Sequence, residues 1–84
     1  MRQVCGLDVH KGSVFVCIPN ENGIVLQEKF GVLTAELEQL GTILQRHDVT
    51  EVRMESTSVY WIPVWRVLEP YVADMNLVNP YFIK

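Results

Sequence analysis

The stretch CGLDVHKGSVFVCIP, residues 5–19, sets an acidic side chain inside a run of strand-forming residues. Val4, Cys5, Leu7 and Val9 precede a short polar segment, and Val14, Phe15, Val16, Cys17 and Ile18 follow it. β-Branched and aromatic residues suit a pleated strand, and His10-Lys11-Gly12 between them predicts a tight hairpin. Asp8 sits near the end of the first of these strands. A carboxylate there is costly unless water, a counter-charge or a metal ion stands in front of it.

Working outward, Gln3–Val9 and Ser13–Pro19 read as the first two strands. Asn20-Glu21-Asn22-Gly23 is a second turn, and Ile24–Phe30 alternates as a half-exposed strand does. The opening is an antiparallel three-strand meander. Thr34 then suits a helix N-cap, with Glu36 and Glu38 at the positive end of the dipole. Leu33, Leu37, Leu40 and Leu44 form the apolar stripe of a helix that ends near Arg46-His47. Gly41 costs that helix about 1 kcal/mol. Glu51–Glu55 predicts a short strand, and Ser56, Thr57 or Ser58 caps a helix running to about Val72. Pro63 belongs in its first turn or bends it. Met75–Val78 is a last strand, closed by Asn79-Pro80.

The element order is therefore βββαβαβ. Two right-handed crossovers after a meander set the last two strands parallel to the first. The economical arrangement is an α/β fold, a mixed five-stranded sheet of order 3-2-1-4-5 with two helices. That is the ribonuclease H-like (RNase H-like) plan in incomplete form.

The 84 residues allow one small domain, 1–84, and 49% hydrophobic content argues for a folded one. No apolar run nears the roughly 20 residues that cross a bilayer, and no signal-peptide layout opens the chain. A soluble, cytoplasmic protein with no membrane partner is expected. The net charge is −3 and the seven Lys and Arg residues are scattered, unlike the footprint of an autonomous nucleic-acid binder. DNA would be met through a few metal-bridged contacts or with help from elsewhere. If Val9 pairs with Ser13 across a three-residue turn, Cys5 falls opposite Cys17 and a disulfide is conceivable. Two reduced thiols are the favoured reading, and no zinc site is expected.

The strand order places Asp8 and Glu55 at the carboxyl ends of neighbouring parallel strands, where open α/β sheets favour ligand sites. Strands lie about 4.8 Å apart, and two carboxylates about 5 Å apart repel by roughly 3 kcal/mol at an effective dielectric of 20. A bridging divalent cation or an added proton relieves that repulsion. Hard oxygen ligands suit Mg²⁺ or Mn²⁺, and two such ions about 3.5–4 Å apart serve in-line phosphodiester chemistry. Other readings stand beside this one. Asp8 can cap a turn and Glu55 can be a charge at a helix N-terminus. Asp8 before Lys11-Gly12-Ser13 is also similar to the phosphate-binding hairpin of actin-like sugar kinases, which share this strand order. A non-catalytic α/β interaction module is the third class. His10 and Lys11 flank Asp8 and could hold a phosphate or position a strand. Ser56 and Thr57 could offer N–H groups to a phosphate, and Asn79 could orient a metal-bound water. Turn, cap and terminator roles are the favoured readings.

Three pieces together resemble one family. They are Gly6-Leu7-Asp8-Val9-His10-Lys11, then Met54-Glu55-Ser56-Thr57-Ser58-Val59-Tyr60-Trp61, and Leu77-Val78-Asn79-Pro80 with Lys84. Essentially the whole chain resembles the N-terminal, RuvC-like domain of insertion-sequence transposases with a DEDD catalytic set, a family that includes related site-specific DNA invertases. The resemblance implies a metal-dependent enzyme that cleaves and rejoins DNA at insertion-sequence ends. It implies that Asp8 and Glu55 are the first two acidic residues of the set, catalytic and metal-binding, around two Mg²⁺ or Mn²⁺ ions. The family's other two aspartates and its catalytic-serine domain lie beyond Lys84, so the 84 residues alone are expected to be inactive. Asp74 precedes the Asn-Pro motif and does not fill the gap. Some members of the family use a guide RNA. Ser58 stands where the family most often has Gly. It would be strained if that position needs an unusual backbone, and comfortable if it caps the helix. The segment 59–72 is apolar nearly all round. Trp61 and Trp65 read as a core pair at i and i+4, and the opposite face as the contact of a homo-oligomer or of the remaining chain.

Overall fold

A computed structural model describes residues 3–20, 23–56 and 58–78. Five strands and two helices appear in the expected order: β1 (Gln3–Val9), β2 (Val14–Asn20), β3 (Gly23–Phe30), α1 (Thr34–Arg46), β4 (Val49–Ser56), α2 (Trp61–Leu68) and β5 (Asp74–Val78). A short 3₁₀ turn, Glu69–Tyr71, follows α2. The sheet runs β3-β2-β1-β4-β5, with β1 antiparallel to β2, β2 antiparallel to β3, and β4 parallel to both β1 and β5.

Period-two alternation divides the strands between two faces. Cys5, Leu7 and Val9 of β1, Val14, Val16 and Ile18 of β2, and Val52 and Met54 of β4 are buried together. The same cluster takes Leu37, Leu40 and Leu44 from α1 and Val64 and Leu68 from α2. Both helices thus lie on one face of the sheet. Each Leu withdrawn from water there contributes roughly 1.5–3 kcal/mol. The other face, which carries Gly6, Asp8, Phe15, Arg53 and Glu55, is exposed.

Three local expectations need correction. The β1–β2 turn holds four residues, not three: Val9 pairs with Val14, and the His10 N–H donates to the Ser13 carbonyl at 2.8 Å. Cys17 therefore faces Gly6 across the ladder. Cys5 points into the core and Cys17 to the open face, so both thiols are free and no disulfide can join them. The second correction concerns α1. Thr34 is its first helical residue, and Leu33 occupies the cap position with an extended backbone. Leu33 is 71% exposed rather than part of the buried stripe. Its N–H donates to Glu36 Oε1 at 3.3 Å, half of a capping box. Third, the second helix stops at Leu68 instead of Val72. Pro70 has no N–H to continue the ladder, and Val72 is extended. Pro63 does fall in the first turn of α2.

Two positions explain local sequence choices. A Cβ on Gly41 would lie 2.5 Å from ring atoms of Tyr71, so glycine lets the 3₁₀ turn close over α1. Ser58 has φ of 56°, in the left-handed region, in the turn that leads into α2. Trp61 and Trp65 meet edge to face, with centroids 5.8 Å apart, and pack against the core from its margin. Val59 and Tyr60 point outward.

Candidate metal centre

The open face is organised in rows that run across the strands. In one row, Lys29, Phe15, Asp8, Glu55 and Val78 are successive Cα partners on β3, β2, β1, β4 and β5. The next row, one pleat back along β1, holds Gln27, Cys17, Gly6, Arg53 and Asn76. Asp8 and Glu55 are thus direct neighbours on parallel strands, on the same face, near the carboxyl ends of both. Their strands are fixed by buried neighbours on either side of each acid: Leu7 and Val9 in β1, Met54 and Ser56 in β4. The two acids line an open groove of about 460 Å³ together with Gly6, Phe15, Cys17, Arg53 and Val78.

Asp8 Oδ2 lies 3.2 Å from His10 Nε2, both side chains being about half exposed. The residue read as a plain turn residue therefore touches one of the two carboxylates. Across the groove, Arg53 Nε donates to Glu51 Oε2 at 3.3 Å, and Asn76 Nδ2 donates to the same oxygen at 3.4 Å. Ser56 is buried and its hydroxyl donates to the Ser58 carbonyl at 3.4 Å, which makes it part of the turn. Asp74 pairs with Glu51, four residues back along β4 from Glu55, or roughly 13 Å away. It stands apart from the acidic pair. Thr57, Asn79, Pro80 and Lys84 lie outside the described residues.

Among the described residues, no group of three or more His, Cys, Asp or Glu side chains is placed to hold a metal ion. The donor chemistry still fits part of a Mg²⁺ or Mn²⁺ site: two carboxylates side by side, half open to water, with space in front. Sequence reasoning overlooked Arg53 and Gly6. The signal for both was available, since each lies two residues before an acid on a strand and so shares its face.

A family model for DEDD transposases of the IS110 group, described as a transposase, matches residues 5–84. The chain belongs to this family. No curated protein sequence matches this transposase chain. Solved structures share its fold at low identity. The Pelota protein of Archaeoglobus fulgidus superposes with a TM-score of 0.68 at 12% identity, covering 93% of this chain and 26% of that one. The Ppx/GppA phosphatase of Aquifex aeolicus gives 0.66 at 12% identity, covering 95% of this chain and 36% of that one. RNase H1 of Halobacterium salinarum gives 0.51 at 10% identity, with 94% and 85% covered. The fold is RNase H-like. This transposase chain spans about a third of the phosphatase and a quarter of the Pelota chain. Among its described residues, no helix is long and apolar enough to cross a membrane.

Proposed function

We propose that these 84 residues form the N-terminal catalytic subdomain of a Mg²⁺-dependent transposase that cleaves and rejoins DNA strands at insertion-sequence ends. Asp8 and Glu55 are the metal ligands this subdomain contributes. The observation that carries the reading is their pairing as Cα neighbours on β1 and β4, with both side chains on the uncovered face. An actin-like phosphate site would ring a phosphate with the Lys11-Gly12-Ser13 turn and leave Glu55 elsewhere. Glu55 beside Asp8 favours the nuclease.

When bound, divalent ions activate the attacking oxygen and neutralise charge on the departing one. The chain's own part is positional. Asp8 and Glu55 present oxygens from two neighbouring strands, and Phe15 and Val78 flank them on either side in the row. His10 Nε2, 3.2 Å from Asp8 Oδ2, would orient that carboxylate toward the groove. Two carboxylates by themselves would retain such ions weakly. The outward Val59 and Tyr60, just before α2, support a contact with a second copy through segment 59–72.

The test is a Mn²⁺ titration followed by electron paramagnetic resonance. The wild-type chain should bind, and Asp8→Asn and Glu55→Gln should each weaken binding by tenfold or more. Binding that neither substitution alters would refute the assignment.

A further inference from the structure

The row behind the acidic pair has a build of its own. Arg53 lies two residues before Glu55 on β4, on the same face, and its Cα partner on β1 is Gly6. Gly6 has no side chain, and a Cβ built there meets nothing within 4 Å. The groove therefore has a bare backbone floor beside Arg53. The guanidinium is fixed from behind: its Nε donates to Glu51, whose carboxylate also accepts from Asn76 and is only 12% exposed. The Arg53 side chain itself is 65% exposed, and that contact engages only its Nε, leaving the two terminal nitrogens as further donors. Among the described residues lining the groove, Arg53 is the one cation.

Two rows on one face of a strand are about 6.6 Å apart along it. That is close to the separation of successive phosphates along a nucleic-acid strand. Resting on the metal-centre reading above, we infer that Arg53 binds the phosphate adjacent to the one at Asp8 and Glu55, with Gly6 leaving the space that phosphate occupies. Arg53 is thus a substrate-binding residue, and Glu51 with Asn76 positions it. The fork of an arginine suits this task, because a guanidinium gripped through Nε still offers paired donors to phosphate oxygens.

The alternative role is a counter-charge that only offsets the two acids. The two differ in what they do to bound DNA. The probe is a short fluorescein-labelled single-stranded oligonucleotide, titrated by anisotropy at saturating Mn²⁺ over a series of salt concentrations, with Mn²⁺ affinity measured separately. Arg53→Gln should weaken oligonucleotide binding about tenfold and flatten the log–log salt dependence by about 0.7, one phosphate contact, while Mn²⁺ affinity holds or rises. Gly6→Val, which fills the notch on a strand that tolerates a β-branched residue, should weaken the oligonucleotide equally and leave Mn²⁺ binding intact. Glu51→Gln should show a smaller loss of the same kind. If Mn²⁺ binds but Arg53→Gln takes up the oligonucleotide with wild-type affinity and slope, the phosphate role falls and the metal centre stands. The same holds if the wild-type chain binds Mn²⁺ and no oligonucleotide. If Mn²⁺ does not bind at all, both fall together.

Discussion

Asp8 and Glu55 are Cα partners on parallel strands, and both carboxylates stand on the face that neither helix covers. Like charges placed directly opposite each other weaken a sheet by a few tenths of a kcal/mol to about 1 kcal/mol. Water in front of both acids keeps the penalty in that range.

Removing one charge should relieve it. Glu55→Gln is expected to raise the unfolding free energy by about 0.5 kcal/mol at low salt in a chelator, with the gain shrinking as salt is added. Urea denaturation at two ionic strengths reads this directly. A loss of stability would mean that Glu55 has a structural partner of its own.

Ser58 gives a second expectation. With φ of 56° it holds a left-handed backbone that glycine adopts without a Cβ clash. Ser58→Gly should stabilise the fold by about 0.5–1 kcal/mol, and Ser58→Ala should bring no gain because it keeps the Cβ. Thermal unfolding of the pair separates backbone strain from loss of the hydroxyl. The resemblance left open whether serine is strained or comfortable here, and the backbone answers that it is strained.

At Gly41 the sign is reversed. Helix propensity favours alanine by about 1 kcal/mol, yet the new methyl would meet the Tyr71 ring at 2.5 Å. The nearest atoms include the ring carbon that joins the side-chain stem, so the aromatic group cannot swing aside cheaply. Gly41→Ala should destabilise by about 1–3 kcal/mol. Gly41→Ala combined with Tyr71→Ala should recover the helix-propensity gain, which a double-mutant cycle measures.

The cysteines differ by face. Burial pushes the Cys5 thiol up from 9.0 to about 12, while Cys17 is partly exposed in the groove. One thiol should react with a maleimide in the folded chain and two after denaturation, as counted by mass spectrometry. A pH effect follows. Between pH 9 and about 12 the folded chain keeps a proton on Cys5 that the unfolded chain has lost. This contribution to stability is whole below pH 9 and declines as pH rises, by at most about 1.4 kcal/mol per pH unit. The stability of Cys5→Val should fall less steeply than that of wild type over this interval.

Much of the fold is legible in the sequence alone. Two turn signals and one amphipathic stripe were enough for the strand order, because crossover rules leave few alternatives. The pairing of Asp8 with Glu55 followed from that order. The hairpin register did not, since Ser13 is as much a turn residue as a strand residue and nothing local chooses between three and four loop residues. That single step moved Cys17 from Cys5 to Gly6. Leu33 misled by its spacing: it keeps the leucine period of α1, but its extended backbone turns it out to solvent. The early end of α2 was written in Pro70, hidden by the apolar residues around it. His10 beside Asp8 was obscured because a turn side chain has no periodicity to betray its direction.

The acidic pair is contributed by the first and fourth strands, which β2, β3 and α1 separate along the chain. No partly made chain lacking β4 can chelate through it. A divalent ion held there, as proposed above, would be a ligand of the finished sheet alone, and by mass action it would draw the folding equilibrium toward the native form. On that reading, the cation proposed for the chemistry would also act as a thermodynamic check that β1 and β4 have found each other.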